Sequence, residues 1–232
     1  MRVDFSSNLM REEADPRALT RSEVGGRLRE FGLDHMDQFL LGALDGGDPL
    51  SHSPSIMEDV LDELARLRDE GKIRYAGFSC HDPDYAARLI ETWPVFDAVM
   101  TPYNFVNRAA EGKLAEVLRT AGTAWIAMKP MVWHAYGLPV TALRNVRPVP
   151  GRAEHDPQAP IAALALQFIL SNPLIATTVP SVNFIEAVDE NTAASGCGQL
   201  TDEDDGEERA KEAGGDLLAC LAKDAEWSPY IP

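Results

Sequence analysis

The sequence predicts a parallel α/β fold of repeating strand–helix units, on three observations. Residues Ser55 to Pro83 read as helix, strand and the start of another helix with short joints between them. Ala124 to Met128 is apolar throughout, as a strand covered on both faces should be. The pattern recurs along the chain at about thirty residues per unit, the size of a βαβ element, and no low-complexity linker interrupts it. At 232 residues the chain is close to the roughly 250 typical of one α/β barrel. A single main domain over residues 1–200 is therefore expected.

Taken in order, Arg2 to Ser6 is a short strand candidate. Thr20 with Glu23 reads as a capping box for a helix whose buried face carries Val24, Leu28 and Phe31, with Gly32 as its stop. Met36 to Leu41 is the next strand, leading to a turn at Gly46-Gly47. In Ser55 to Glu70, Met57, Val60, Leu61, Leu64 and Leu67 recur at helical spacing, and Ser55 with Glu58 forms a second capping box. Gly71 ends that helix, and Ile73 to Ser79 delivers Ser79 and Cys80 to a strand's carboxyl end, where α/β folds meet their ligands. Asp82-Pro83 opens a helix with a cap and a proline at the first position.

Further along, Phe96 to Asn104 is a strand, and Asn107 caps a helix burying Leu114, Val117, Leu118 and Ala121 before Gly122. Val132 to Pro160 shows no period, and loops of that length are lids, binding loops or disordered segments. Ile161 to Leu170 is an apolar helix, Ile175 to Val179 the last strand, and a helix containing Glu190-Asn191 follows. Six strands are expected.

Composition excludes several classes. With 37 Asp and Glu against 21 Lys and Arg, the net charge is −16, which disfavours nucleic acid and anionic membrane surfaces as partners. The acid excess is densest from Asp202 to Glu226, so residues 201–232 are expected to be an acidic C-terminal helix or tail. Cys80, Cys197 and Cys220 are too few and too far apart for a disulfide framework or an iron–sulfur cluster, and fit a cytoplasmic protein. No metal site is expected. No apolar run approaches the ~20 residues of a membrane span, and Met1 to Phe5 has no signal-peptide core.

Five phrases together resemble the aldo-keto reductase family: Leu33 to Leu41, Gly71 to Ser79, Tyr103-Asn104, Lys129-Pro130-Met131, and Val179-Pro180 with Glu190-Asn191. The wording Gly-Phe-Ser-Cys-His-Asp and Ala-Met-Lys-Pro leans toward a bacterial branch, some of whose members carry an iron–sulfur tail. The resemblance implies a TIM-type (β/α)8 barrel that binds NAD(P)(H) and reduces small carbonyl compounds. Aligned by these phrases, the chain begins at the family's third strand. About six βα units are then present, and the first two, with the family's catalytic aspartate and tyrosine, are absent. The alternative is that Met1 is not the natural start and the missing strands lie upstream.

The resemblance also assigns residues. The family's catalytic lysine falls on Asn8, and its histidine on Gly42. A proton donor for the developing alkoxide, a cation to lower its pKa and an imidazole to polarise the carbonyl are thereby lost together. His81 is the best-placed stand-in, with Tyr103, Tyr136 and Lys129 behind it; the plainer reading makes His81 a loop residue beside the Asp82 cap. Ser79 matches the serine that holds the nicotinamide carboxamide, Cys80 stands where its asparagine partner is usual, and Met100 where the next strand has glutamine. Lys129, Ser181 and Asn183 border the same cofactor region, and Glu190 and Asn191 match the pair that contacts adenine. Val182 to Ala187 contains no Lys or Arg to fork a 2′-phosphate, so NAD(H) should fare no worse than NADP(H). The expected function is a catalytically impaired NAD(P)(H)-dependent carbonyl oxidoreductase; the alternative is a non-catalytic nucleotide-binding or scaffold protein. An open six-strand barrel leaves edges near Val3 and Thr177, and either a homodimer joined through them or a marginally stable open barrel is expected.

Overall fold

The computed structural model describes residues 2–3, 15–42, 44–45, 53–104, 107–130, 161–180, 182 and 185–196. It forms two compact units, Met1–Thr101 with Ala110–Ile126, and Pro102–Ala109 with Ala127–Pro232. Asn8, Ser181, Asn183, the segment 131–160 and the acidic stretch 201–232 lie outside the described residues.

In the first unit, strands β1 (Arg2–Val3), β2 (Met36–Leu41), β3 (Ile73–Ser79) and β4 (Ala98–Pro102) lie side by side, followed by the start of β5 (Ala124–Met128). The first three pairings are parallel, with Leu40 opposite Gly77 and Gly77 opposite Ala98. Leu40, Ala98 and Ile126 pack as one cluster on a face of the sheet, joined by Met100 and Ala124. Between Leu40 and Ala98, Gly77 contributes no side chain, and there is no room for one: a Cβ there would also lie 2.7 Å from Leu40 Cδ2.

Helix α1 (Pro16–Phe31) packs on α2 (Pro54–Asp69), and ion pairs join the two. Arg17 reaches Asp59 and Asp62, each at 2.7 Å, while Arg21 grips both Glu63 and Glu70. Glu63 is only 3% exposed, so the guanidinium of Arg21 is what makes its burial tolerable. Helices α3 (Pro83–Thr92) and α4 (Lys113–Ala121) pack together, tied at the surface by Lys113 and Glu91 at 2.7 Å.

Helix α2 ends with Gly71 at φ 70°, where its N–H donates to the Arg68 carbonyl and that of Lys72 to Leu67. The same stop occurs at Gly32 and Gly122, as expected. The helix starts depart from expectation. Helix α1 begins at Pro16 under an Asp15 cap, whose carboxylate accepts from the N–H groups of Arg17 and Ala18. Thr20 is instead buried inside the helix, with its hydroxyl donating to the Pro16 carbonyl. Helix α2 begins at Pro54, placing Ser55 within it. Both misplaced starts follow a proline at the first helical position, which removes an N–H that has no partner there. Phe31 is 57% exposed rather than buried. Asn107 accepts from the Ala109 N–H and so precedes a 3₁₀ turn at Ala109–Glu111; α4 starts after Gly112.

In the second unit, β6 (Ile175–Val179) lies beside β5, and Thr178 Oγ1 donates to the Ala127 carbonyl at 3.0 Å. Helices α5 (Ile161–Leu170) and α6 (Glu186–Gly196) pack against each other.

Candidate active site at the strand ends

The carboxyl ends of β2 and β3 are held together by backbone. Leu44 N–H donates to the Ser79 carbonyl at 2.8 Å, and Cys80 N–H donates to the Met100 carbonyl at 2.9 Å. These bonds put the segment after β2 against the segment after β3. Gly42, Ser79 and Cys80 are all buried. Met100 is half-buried, and its side chain packs on the Leu40–Ala98–Ile126 cluster.

Asp45 is the residue that sequence reasoning missed. Its Oδ1 accepts the His81 backbone N–H at 2.5 Å, and its Oδ2 lies 2.8 Å from His81 Nδ1. The two side chains are each about a third exposed, 36% for Asp45 and 37% for His81. Burial opposes ionisation of Asp45, but the His81 N–H and ring, with the Cys80 thiol, outweigh it and hold the carboxyl below its ordinary value. An ionised carboxylate only accepts, so the Nδ1–H of His81 is the donor to Asp45. His81 is thus tied to Asp45 while lying beside the Asp82 cap. The one available signal was an isolated acid ahead of a Gly-rich turn, which names no partner.

Cys80 is turned away from such chemistry. Its Sγ donates to the Asp82 carbonyl at 3.1 Å, and burial pushes the thiol up to about 12. It stays a neutral thiol rather than a nucleophile. Asp82 caps α3, accepting from the N–H groups of Asp84 and Tyr85, as the sequence predicted.

The other predicted residues fall in the second unit. Asn104 bridges its loop to the end of β5: Nδ2 donates to the Lys129 carbonyl at 3.0 Å, and Oδ1 accepts from the Asn107 N–H at 2.8 Å. Tyr103 is buried and stacks on Phe168 at 5.7 Å. Lys129 has φ 58°, the one positive φ outside glycine among the described residues. That conformation costs a lysine of order 1 kcal/mol or more and marks the end of β5 as a constrained turn. Glu190 and Asn191 lie on α6. Among the described residues no three His, Cys, Asp or Glu side chains form a metal site, and no helix is long and apolar enough to cross a membrane.

Residues 13–133, more than half of the chain, match the pattern described as Aldo/keto reductase family. The chain belongs to the aldo-keto reductase family. It is 28% identical over 109 residues to the L-glyceraldehyde 3-phosphate reductases of Escherichia coli strain K12 and of E. coli O157:H7. The match covers 45% of this chain and spans 30% of those relatives. Among solved structures, the aldo-keto reductase AKR11C1 from Bacillus halodurans superposes with TM-score 0.63 in its apo form and 0.66 in its holo form. Identity is 21% and 22%, over 86% of this chain and 69% and 66% of that one. A thermostable aldo-keto reductase, Tm1743, solved with the inhibitor epalrestat, gives 0.66 at 21% identity, over 91% of this chain and 69% of its own. These likenesses place the fold in the α/β barrel class.

Aldo-keto reductases are oxidoreductases that use a nicotinamide nucleotide.

Proposed function

We propose that this aldo-keto reductase relative binds small carbonyl compounds at its strand ends and reduces them with NAD(P)H feebly or not at all. Gly42 carries this reading: a buried glycine stands where the family places its histidine. A glycine supplies neither a donor for the carbonyl oxygen nor a proton. Asn8 at the lysine position, and Ser79, Cys80, Met100, Lys129, Ser181, Asn183, Glu190 and Asn191 as nucleotide contacts, belong to the same reading.

Loss of absorbance at 340 nm with a panel of aldehydes tests it. Turnover should be undetectable or very weak with either nucleotide. Robust turnover that a Ser79→Ala substitution abolishes would overturn the impairment. Titration calorimetry should find NADPH no tighter than NADH; a tenfold preference, about 1.4 kcal/mol, would mean that a basic group outside Val182 to Ala187 serves the phosphate.

The second reading, a non-catalytic scaffold, draws on the exposed strand β6, where Ala176 and Thr177 face solvent and β5 is the neighbour among described strands. Pairing of two copies along that edge is its natural assembly. Light scattering that finds only monomer would remove it.

A further inference from the structure

The Asp45–His81 pair joins the segments that follow two adjacent strands. One carboxylate takes both the backbone N–H and the ring of the same residue, at 2.5 and 2.8 Å, so the imidazole is held in position with Nδ1 toward the carboxylate. Both side chains are about a third exposed, which leaves them in reach of a solute while keeping part of their surface out of water. They sit at the carboxyl ends of two adjacent parallel strands, the face where barrels gather their ligands. The neighbouring Cys80 is a neutral thiol that donates to the Asp82 carbonyl, and the Asp82 carboxylate is taken up by its helix cap, which leaves the Asp45 carboxylate and the His81 imidazole as the facing acid–base pair.

We propose that Asp45 and His81 form an acid–base dyad that moves a proton on the α-carbon of a small α-hydroxy carbonyl compound, with no hydride transfer. The substrate class rests on the carbonyl-binding reading above; the reaction does not. His81 Nε2 takes the proton from the α-carbon. The C–H electron pair becomes the new C=C bond, and the carbonyl π pair moves to oxygen as an enolate. Return of a proton to the same carbon restores the substrate, and return to the former carbonyl carbon, with a proton shift between the two oxygens, gives the isomer. Nothing is oxidised or reduced overall, and no nucleotide is required. Asp45 is the positioning residue: it keeps the proton on Nδ1 and stabilises the imidazolium while it lasts.

Exchange of the carbon-bound hydrogens of dihydroxyacetone in D2O, followed by proton NMR without nucleotide, tests the dyad. The full chain should exceed buffer by about 100-fold, the usual range for a positioned base. His81→Gln should fall to the buffer rate, and Asp45→Asn should lose at least about tenfold while its amide spectrum stays folded. A measurement on the unaltered protein supports this independently: ring nitrogen shifts should show His81 with its proton on Nδ1. Exchange no faster than buffer, exchange unchanged in His81→Gln, or a proton resident on Nε2 would each overturn the proposal. If dihydroxyacetone still shifts the amides of Ser79 and Met100 when exchange fails, the dyad falls and the carbonyl-binding reading stands.

Discussion

A Cβ atom on Gly77 would lie 2.3 Å from the carbonyl oxygen of Ala98. Backbone cannot yield as a side chain can, so β4 would have to move away from β3. Gly77→Ala should therefore cost about 3 kcal/mol, the upper part of the range for overpacking. Trimming the other close neighbour, in Gly77→Ala with Leu40→Ala, should not restore stability, because the carbonyl remains. Urea unfolding of the native chain and the two variants decides this; rescue by Leu40→Ala would show that the side chain sets the limit.

Trp125 Nε1 donates to Thr101 Oγ1 at 2.8 Å, and both residues are fully buried. Thr101→Val keeps the shape and removes the acceptor, stranding an indole N–H. A loss of about 2 kcal/mol is expected. Adding Trp125→Phe should cost less than the two single losses summed, since no donor is then left unpaired.

Asp45 titrates below its ordinary value in the folded protein, so its stabilising contribution has a definite sign. It is complete above the unfolded aspartate value of about 3.9 and is lost as pH falls through the lower folded one. The difference in melting temperature between the native chain and Asp45→Asn should be largest near neutrality and shrink below about pH 4. A difference that grows on acidification would contradict the direction.

Cys80, raised to about 12, should resist alkylation by iodoacetamide at pH 8 in the folded protein and react once urea exposes it. Peptide mapping separates it from Cys197 and Cys220. The sign is opposite to that of Asp45. Stability linked to the neutral thiol is intact below the unfolded value of about 8.5 and erodes as pH rises from there toward the folded one.

Asp15 and Ser53 occupy the same position before a helix, yet only Asp15 makes a side-chain cap bond. Asp15→Ala should cost about 1 kcal/mol, and Ser53→Ala much less, by thermal unfolding.

These two caps also show where the sequence could be read and where it could not. Strands β2 and β5 and helix α5 fell on their expected residues, because continuous apolar runs and glycine stops leave little choice. Asp82-Pro83 was recognised as a helix start, while the same cap–proline signature at Asp15-Pro16 and Ser53-Pro54 was passed over for capping boxes at Thr20 and Ser55. A Ser or Thr three residues before Glu also occurs inside helices, so the proline was the stronger signal. Within the site, Ser79 and Cys80 could be placed on a strand end by pattern alone. Asp45 could not, since its partner His81 is 36 residues away and the contact arises only when β2 and β3 pair. The exposure of Phe31 is likewise a property of packing, which periodicity does not contain.

The stop at Gly71 obeys a different rule from the one at Gly77. Nothing lies within 4 Å of the place where its Cβ would be, so volume does not select the residue. Its φ of 70° does. That angle is costly for one mirror form of alanine and comfortable for the other. A semisynthetic chain with D-alanine at position 71 should fold as well as the native one or better, whereas L-alanine should lose about 1 kcal/mol. At this turn, where α2 passes into the strand that carries Ser79, the requirement is one of chirality alone.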